Sequence, residues 1–274
     1  MIVCQHWRLR RALAGADGSQ PAWEAEDVRS GARVAITFRA RNARLQRARI
    51  GIRSPHVVQI LDCGVTDDGA PFTVTELLED GESLDLVLSR RERLGLSEAG
   101  AILDQILCGL ARLHSLGFVH RDVCPANVFL VDATRVKLVD GEGAELERVP
   151  AARAAYWSPE QLASGDRVDR RADVWATGVL AYRMLTGRLP FACDDWPTLR
   201  ASVQCGEFAL ASSVCPELPV ALDAWFRDVL QVQPMARYAG AEPARAALAE
   251  IWRAAQPRPR AVPPPLPRGR AITH

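Results

Sequence analysis

Apolar and polar residues alternate along the first part of the chain in three short runs, at residues 7–13, 23–28 and 33–38. That period of two predicts half-buried strands, with Arg29-Ser30-Gly31 as the turn between the second and third. A basic run at 41–52 predicts a helix. Pro55-His56-Val57-Val58 then leads into a strand ending near Gly64, and Phe72 to Glu76 predicts another. Past residue 82 the period lengthens. Residues 83–93 read as a helix with one polar face, and Ile102, Leu103, Ile106, Leu107, Leu110 and Leu113 recur at helical spacing. Ser97 is the expected cap of that longer helix and Gly117 its stop. A single hairpin follows: Val128-Phe129-Leu130-Val131, a polar turn at 132–135, and a second apolar run at 136–139. Helices are expected at 171–186, 196–205, 220–230 and 241–255. A strand-rich beginning and a helix-rich remainder predict an α+β chain in two lobes.

Composition narrows the class. The 274 residues are 48% hydrophobic, enough for one large core or two lobes. A net charge of +1 gives no reason to expect nucleic acid or a membrane as the partner of the whole surface. The 7 cysteines are odd in number and include no C-x-x-C pair, which fits reduced thiols in a cytoplasmic protein. No apolar run approaches the length of a membrane span, and the charged start does not suit a signal peptide. Residues 256–274 form a tail whose Pro- and Arg-rich portion, 256–270, predicts an extended arm, and Pro263-Pro264-Pro265-Leu266-Pro267-Arg268 suits an aromatic groove on a partner. Lys137 is the one lysine, so arginine supplies the other 33 of the 34 basic residues.

The candidate chemistry lies between His120 and Gly143. The hairpin brings its outer ends together, and those ends carry Asn127 and Asp140. Asp122 stands five residues before Asn127. Two oxygen ligands beside a free carboxylate make a place to hold a hard cation and orient a hydroxyl.

His120-Arg121-Asp122 with Asn127 five residues on resembles the catalytic loop of bacterial protein kinases of the eukaryotic serine/threonine type, and Asp140 falls at the family's metal-binding aspartate. Tyr156-Trp157-Ser158-Pro159-Glu160-Gln161 resembles the end of a kinase activation segment, and Asp173-Val174-Trp175-Ala176-Thr177-Gly178-Val179 the helix after it. The likeness covers about residues 7–255 and implies a bilobal kinase fold: an N-lobe at 1–76 with one main helix, a hinge at 77–81, and a mostly helical C-lobe at 82–255. It implies ATP and Mg²⁺ as cofactors, with Asn127 and Asp140 as metal ligands and Asp122 as general base. The nucleotide would lie against Gly15 and Gly18 of the phosphate loop, Ala35, Thr37, Thr75, Glu76, Leu78 and Phe129. A protein would be the substrate or partner. The likeness further implies that Glu160 pairs with Arg237 and that Asp173 braces the His120-Arg121 turn.

Several positions depart from that pattern. Thr37 stands where the family places the lysine of its Val-Ala-Ile-Lys strand, and Leu45 falls near the place of that lysine's glutamate partner. The loop at 14–21 keeps two glycines and adds Asp17 and Pro21. Cys124 replaces the lysine two residues after the catalytic aspartate. Arg153 or Ala154 replaces its threonine partner. Gly141 replaces phenylalanine, and residues 141–153 contain no Ser, Thr or Tyr. One reading is a pseudokinase, a regulatory or scaffold module with weak or no phosphotransfer. The alternative is an active Ser/Thr kinase, with Arg39 or an arginine of 41–49 supplying the missing charge.

Overall fold

In the computed structural model the described residues are 2–3, 6–13, 22–38, 43–132, 135–139, 150–163, 168–191 and 195–255. They form two lobes with separate cores. The smaller is a sheet of β1 (Ile2–Val3), β2 (Trp7–Ala12), β3 (Trp23–Asp27), β4 (Arg33–Thr37), β5 (Ile60–Val65) and β6 (Pro71–Glu76), with one helix, α1 (Ala43–Arg49). Its strand order is β1-β2-β3-β4-β6-β5, every pairing antiparallel. The alternation that predicted these strands turns Ala25, Val34, Ile36, Phe72 and Val74 onto one buried face, joined by Val3. The contribution of β1 has no signal in so short a run; pairing with β2 creates it.

The larger lobe begins with β7 (Glu82–Ser83), α2 (Leu84–Arg90) and α3 (Leu96–Ser115), followed by the hairpin β8 (Val128–Val131) and β9 (Arg135–Leu138). Ser83 caps α2 by accepting from the Leu86 N–H. At α3 the cap is Gly95, not Ser97, which lies inside the first turn. The helix begins before Ser97 because Leu96 packs against the core. Beyond the hairpin lie α4 (Ala151–Ala154), α5 (Pro159–Leu162), α6 (Arg171–Thr186), α7 (Trp196–Cys205), α8 (Ala211–Val214), α9 (Ala221–Val229) and α10 (Ala241–Ala255). One continuous core joins them, with Trp175, Tyr182, Phe191, Trp225 and Phe226 fully enclosed. No helix among the described residues is long and apolar enough to cross a membrane. The five described cysteines are free thiols.

The lobes are tied by backbone as well as side chains. Val58 N–H donates to Leu138 C=O at 2.9 Å, and Leu138 N–H to His56 C=O at 3.0 Å. This crossing lies so close to α3 that a Cβ on Gly109 would stand 2.7 Å from the His56 carbonyl oxygen. Only glycine lets the two backbones approach there.

Candidate active site

Helix α3 ends at Ser115; Gly117, two residues on, adopts a φ of +80°, and the chain turns toward the hairpin. Arg121 then takes a φ of +67°, a conformation that costs a non-glycine residue free energy. Asp173 on α6 offsets that cost. Its carboxylate accepts from the His120 N–H at 2.8 Å and the Arg121 N–H at 2.7 Å, and His114 Nε2 lies 2.8 Å away. His114 therefore has a structural hydrogen bond, as its place at the polar edge of α3 predicts.

The turn presents Asp122, and a short 3₁₀ helix, Pro125–Asn127, brings Asn127 back to it. Asn127 Nδ2 donates to the Asp122 carbonyl at 2.8 Å and to Asp122 Oδ2 at 3.0 Å. Val139 N–H donates to the Asn127 carbonyl at 3.0 Å, so the second strand passes Asn127 one residue before Asp140. Asp140 itself lies outside the described residues, as do Gly15, Gly18, Arg39 and the segment 140–149. Asn127 fits one half of an oxygen-ligand pair for Mg²⁺, because anchoring its amide nitrogen on Asp122 turns the amide oxygen elsewhere.

A second group reaches Asp122. Arg153 on α4 places Nη2 2.6 Å from Asp122 Oδ2, with the two side chains only 15% and 6% exposed. Asp122 Oδ1 is enclosed and has no hydrogen-bond partner among the described residues. Cys124, where a lysine was expected, is buried, and burial pushes its thiol pKa up, so it stays neutral. The charge facing Asp122 thus comes from α4 instead of the catalytic loop. The sequence contains a signal for this: Arg153 is the one charged residue in the run Pro150-Ala151-Ala152-Arg153-Ala154-Ala155-Tyr156-Trp157. A lone cation entering an apolar interior needs a counterion.

His120 is buried, and burial lowers its pKa to about 4. The Arg49 guanidinium pushes in the same direction, whereas Asp173 and Asp122 oppose it. Arg49 is itself buried at the end of α1. Helix periodicity gave no warning that this arginine, among the many near it, would turn inward.

Among the residues expected to line a nucleotide cleft, Ala35 pairs with Thr75, and Thr37 pairs with Thr73, across β4 and β6. Ala35 and Thr37 therefore share a face, and Phe129 pairs with Lys137 across the hairpin. Lys137 does not serve that cleft. Its Nζ lies 2.6 Å from Glu76 Oε1, which also accepts from the Gln59 N–H at 2.7 Å. The pair borders a cavity of about 350 Å³ that is also lined by Arg53, Ser54 and Pro55. Glu76 thus directs its carboxylate toward Lys137, and Leu78 lies half-buried just beyond it.

Farther down, Arg237 forms a bidentate pair with Glu160, both contacts 2.8 Å. Its remaining donors reach the carbonyls of Gln231, Val232 and Arg171, and its guanidinium lies 4.9 Å from the Trp175 ring centre.

A strand-rich lobe over a helical one, with an Asp–Asn turn at their junction braced from a helix below, defines a protein of the kinase class. The sequence from 45 to 250 matches the family model described as protein kinase domain, and the chain belongs to that family. It is 33% identical over 254 residues to the serine/threonine-protein kinase PknH of Mycobacterium tuberculosis, covering 86% of this chain and 40% of the relative. It is 32% identical to the probable serine/threonine-protein kinase SCO3848 of Streptomyces coelicolor, covering 85% and 38%. The fold matches the crystal structure of the Mycobacterium tuberculosis PknI kinase domain with a TM-score of 0.76 at 23% identity, covering 92% of this chain and 98% of that one. The chain thus spans about two fifths of the length of PknH and SCO3848.

Proposed function

We propose that this chain is a kinase-fold regulatory or scaffold domain with weak or no phosphotransfer, working through a protein partner. The observation that carries this reading is the position of Lys137. The chain's one lysine is paired with Glu76 at 2.6 Å, while Thr37 occupies the strand position from which the family's lysine reaches phosphate. Phosphoryl transfer depends on cations that balance phosphate charge, and removing one such preorganised donor costs roughly 10²–10³ in rate. Cys124 removes a second. We take residues 1–76 and 82–255 as the two lobes, 77–81 as the hinge and 256–274 as a tail open to partner docking, in a cytoplasmic setting. The test is the melting temperature with ATP or ADP, each with and without Mg²⁺, beside a transfer assay. A ligand at 100 times its dissociation constant adds about 2.7 kcal/mol, so binding is readily seen. We expect transfer at or near background. Robust metal-dependent transfer by the purified domain that is lost in Asp122→Asn would sink the reading.

The hydrogen-bonded pair Asp122 and Asn127 favours a second reading, an active Ser/Thr kinase with a rearranged site. In it Asp122 takes the substrate hydroxyl proton and Asn127 orients Asp122. Asn127 and Asp140 would hold Mg²⁺, which would offset phosphate charge, and an arginine would replace the strand lysine. A Mg²⁺-dependent rise in melting temperature that vanishes in Asp140→Ala supports it. An Asp140→Ala protein with unchanged binding and transfer excludes it.

A further inference from the structure

We infer that the cavity between Arg53 and Lys137 is a phosphate-binding site, taking the phosphate group of a small metabolite or of a phosphorylated side chain. Its lining includes no residue of the catalytic turn, so the inference rests on neither reading of Asp122.

Three observations carry it. The first is space: about 350 Å³, enough for a small ligand, is lined by Arg53, Ser54, Pro55, Gln59, Glu76 and Lys137. The second is an excess of donors. Two cations face one carboxylate, and Glu76 Oε1 already accepts from Lys137 Nζ and from the Gln59 N–H. Arg53 is exposed at the rim and has no ion-pair partner among the described residues. Lys137 keeps two further N–H groups, Ser54 its O–H and Gln59 its side-chain amide without acceptors among those residues. The third is a preformed wall. Ser54 bridges Val57, the His56 N–H donates to Ser54 Oγ at 3.2 Å, and His56 Nδ1 lies 3.2 Å from the Val136 carbonyl. With the Val58–Leu138 crossing, these bonds fix the loop before any ligand arrives, which lowers the ordering cost of binding. Donors in excess of acceptors, with cations in excess of carboxylates, select an anion. The carboxylate already present, Glu76, engages only one of the two cations. A phosphate offers three oxygens, enough to take the Arg53 guanidinium in bidentate fashion and a Lys137 N–H together.

The chain's one lysine makes the site its own reporter. Isotope-labelled lysine incorporated into the whole chain gives a single side-chain NMR signal, that of Lys137. O-phosphoserine and glucose 6-phosphate are titrated separately at constant ionic strength, with succinate as the carboxylate probe. We expect a saturable shift of the Lys137 signal with at least one phosphate compound, and the tighter of the two identifies the source of the phosphate. Succinate should bind more weakly than that compound. Arg53→Ala should weaken the phosphate binding by about tenfold or more, as the loss of a hydrogen bond between charged groups implies. Arg53→Lys should restore part of it. Because Arg53 is exposed, both variants should keep the urea midpoint of the parent protein, which separates a lost ligand contact from a lost fold. If neither phosphate compound gives a saturable shift, if succinate binds as tightly, or if Arg53→Ala binds as the parent does, the inference is overturned.

Discussion

Asp173 and Asp122 are two buried carboxylates on either side of one turn, and they are satisfied very differently. Asp173 accepts from two backbone N–H groups and meets His114, all within 2.8 Å. Asp122 shares one oxygen between Asn127 and Arg153 and leaves the other enclosed without a hydrogen-bond partner among the described residues. The same contrast extends outward. Around Asp173 lies a frame in which Arg237 matches its five N–H donors to Glu160 and three carbonyls. Asp122 has Arg153 against its carboxylate and Cys124 buried two residues on, where the family's pattern has a lysine. The frame that positions the turn is complete, while several motif positions around it carry other residues than the family's pattern.

The contrast should show in stability. Breaking the frame gives the largest loss. Arg237→Ala strands Glu160 and three carbonyls, and removing one partner of a buried pair costs about 3–5 kcal/mol, read from urea unfolding. Next comes pH. His120 carries a folded pKa of about 4 against an ordinary value of 6.5. Below pH 6.5 the unfolded chain therefore takes up a proton that the folded one refuses until about pH 4. Stability falls as pH drops through that window, by roughly 3 kcal/mol if the shift is fully expressed. In His120→Gln, urea midpoints measured from pH 7 to 4 should lose most of that slope. Gly178→Ala tests packing within the frame helix α6. A Cβ there would stand 2.6 Å from Val229 Cγ2 and 3.0 Å from Leu230 Cδ2, and such overpacking costs about 1–3 kcal/mol. The smallest effect belongs to the cleft. Thr37→Lys should change stability by no more than about 0.5 kcal/mol, as usual for a residue outside a packed core. With Cys124 and α4 unchanged, it should not create phosphotransfer. If Thr37→Lys costs as much as Gly178→Ala, the cleft belongs to the frame and the contrast fails.

Much of the frame was legible in the chain. Helices at 171–186, 196–205 and 241–255 stand where the chain predicts them, the first marked by the Asp173 to Val179 motif, and the hairpin follows from two apolar runs around a polar turn. Glu160 with Arg237 and Asp173 with the His120-Arg121 turn follow from motif order. The start of α3 was misplaced by the cap rule, since Gly95 supplies the extended residue and Leu96 is drawn into the core before Ser97 is reached. Short elements such as β1, α4 and α8 carry too few residues for a period to register.

The sequence by itself determined the two-lobe α+β class, the order of its elements and which motif positions depart from the family's pattern, because period, turn chemistry and motif spacing are local properties written in one dimension. Tertiary structure alone decided what the replacements do. It put Lys137 on Glu76, Arg49 beside His120 and Arg153 on Asp122. In a chain with 34 basic residues, no local rule says which will be buried or with which carboxylate, since that choice rests on desolvation and on geometry between segments far apart in sequence.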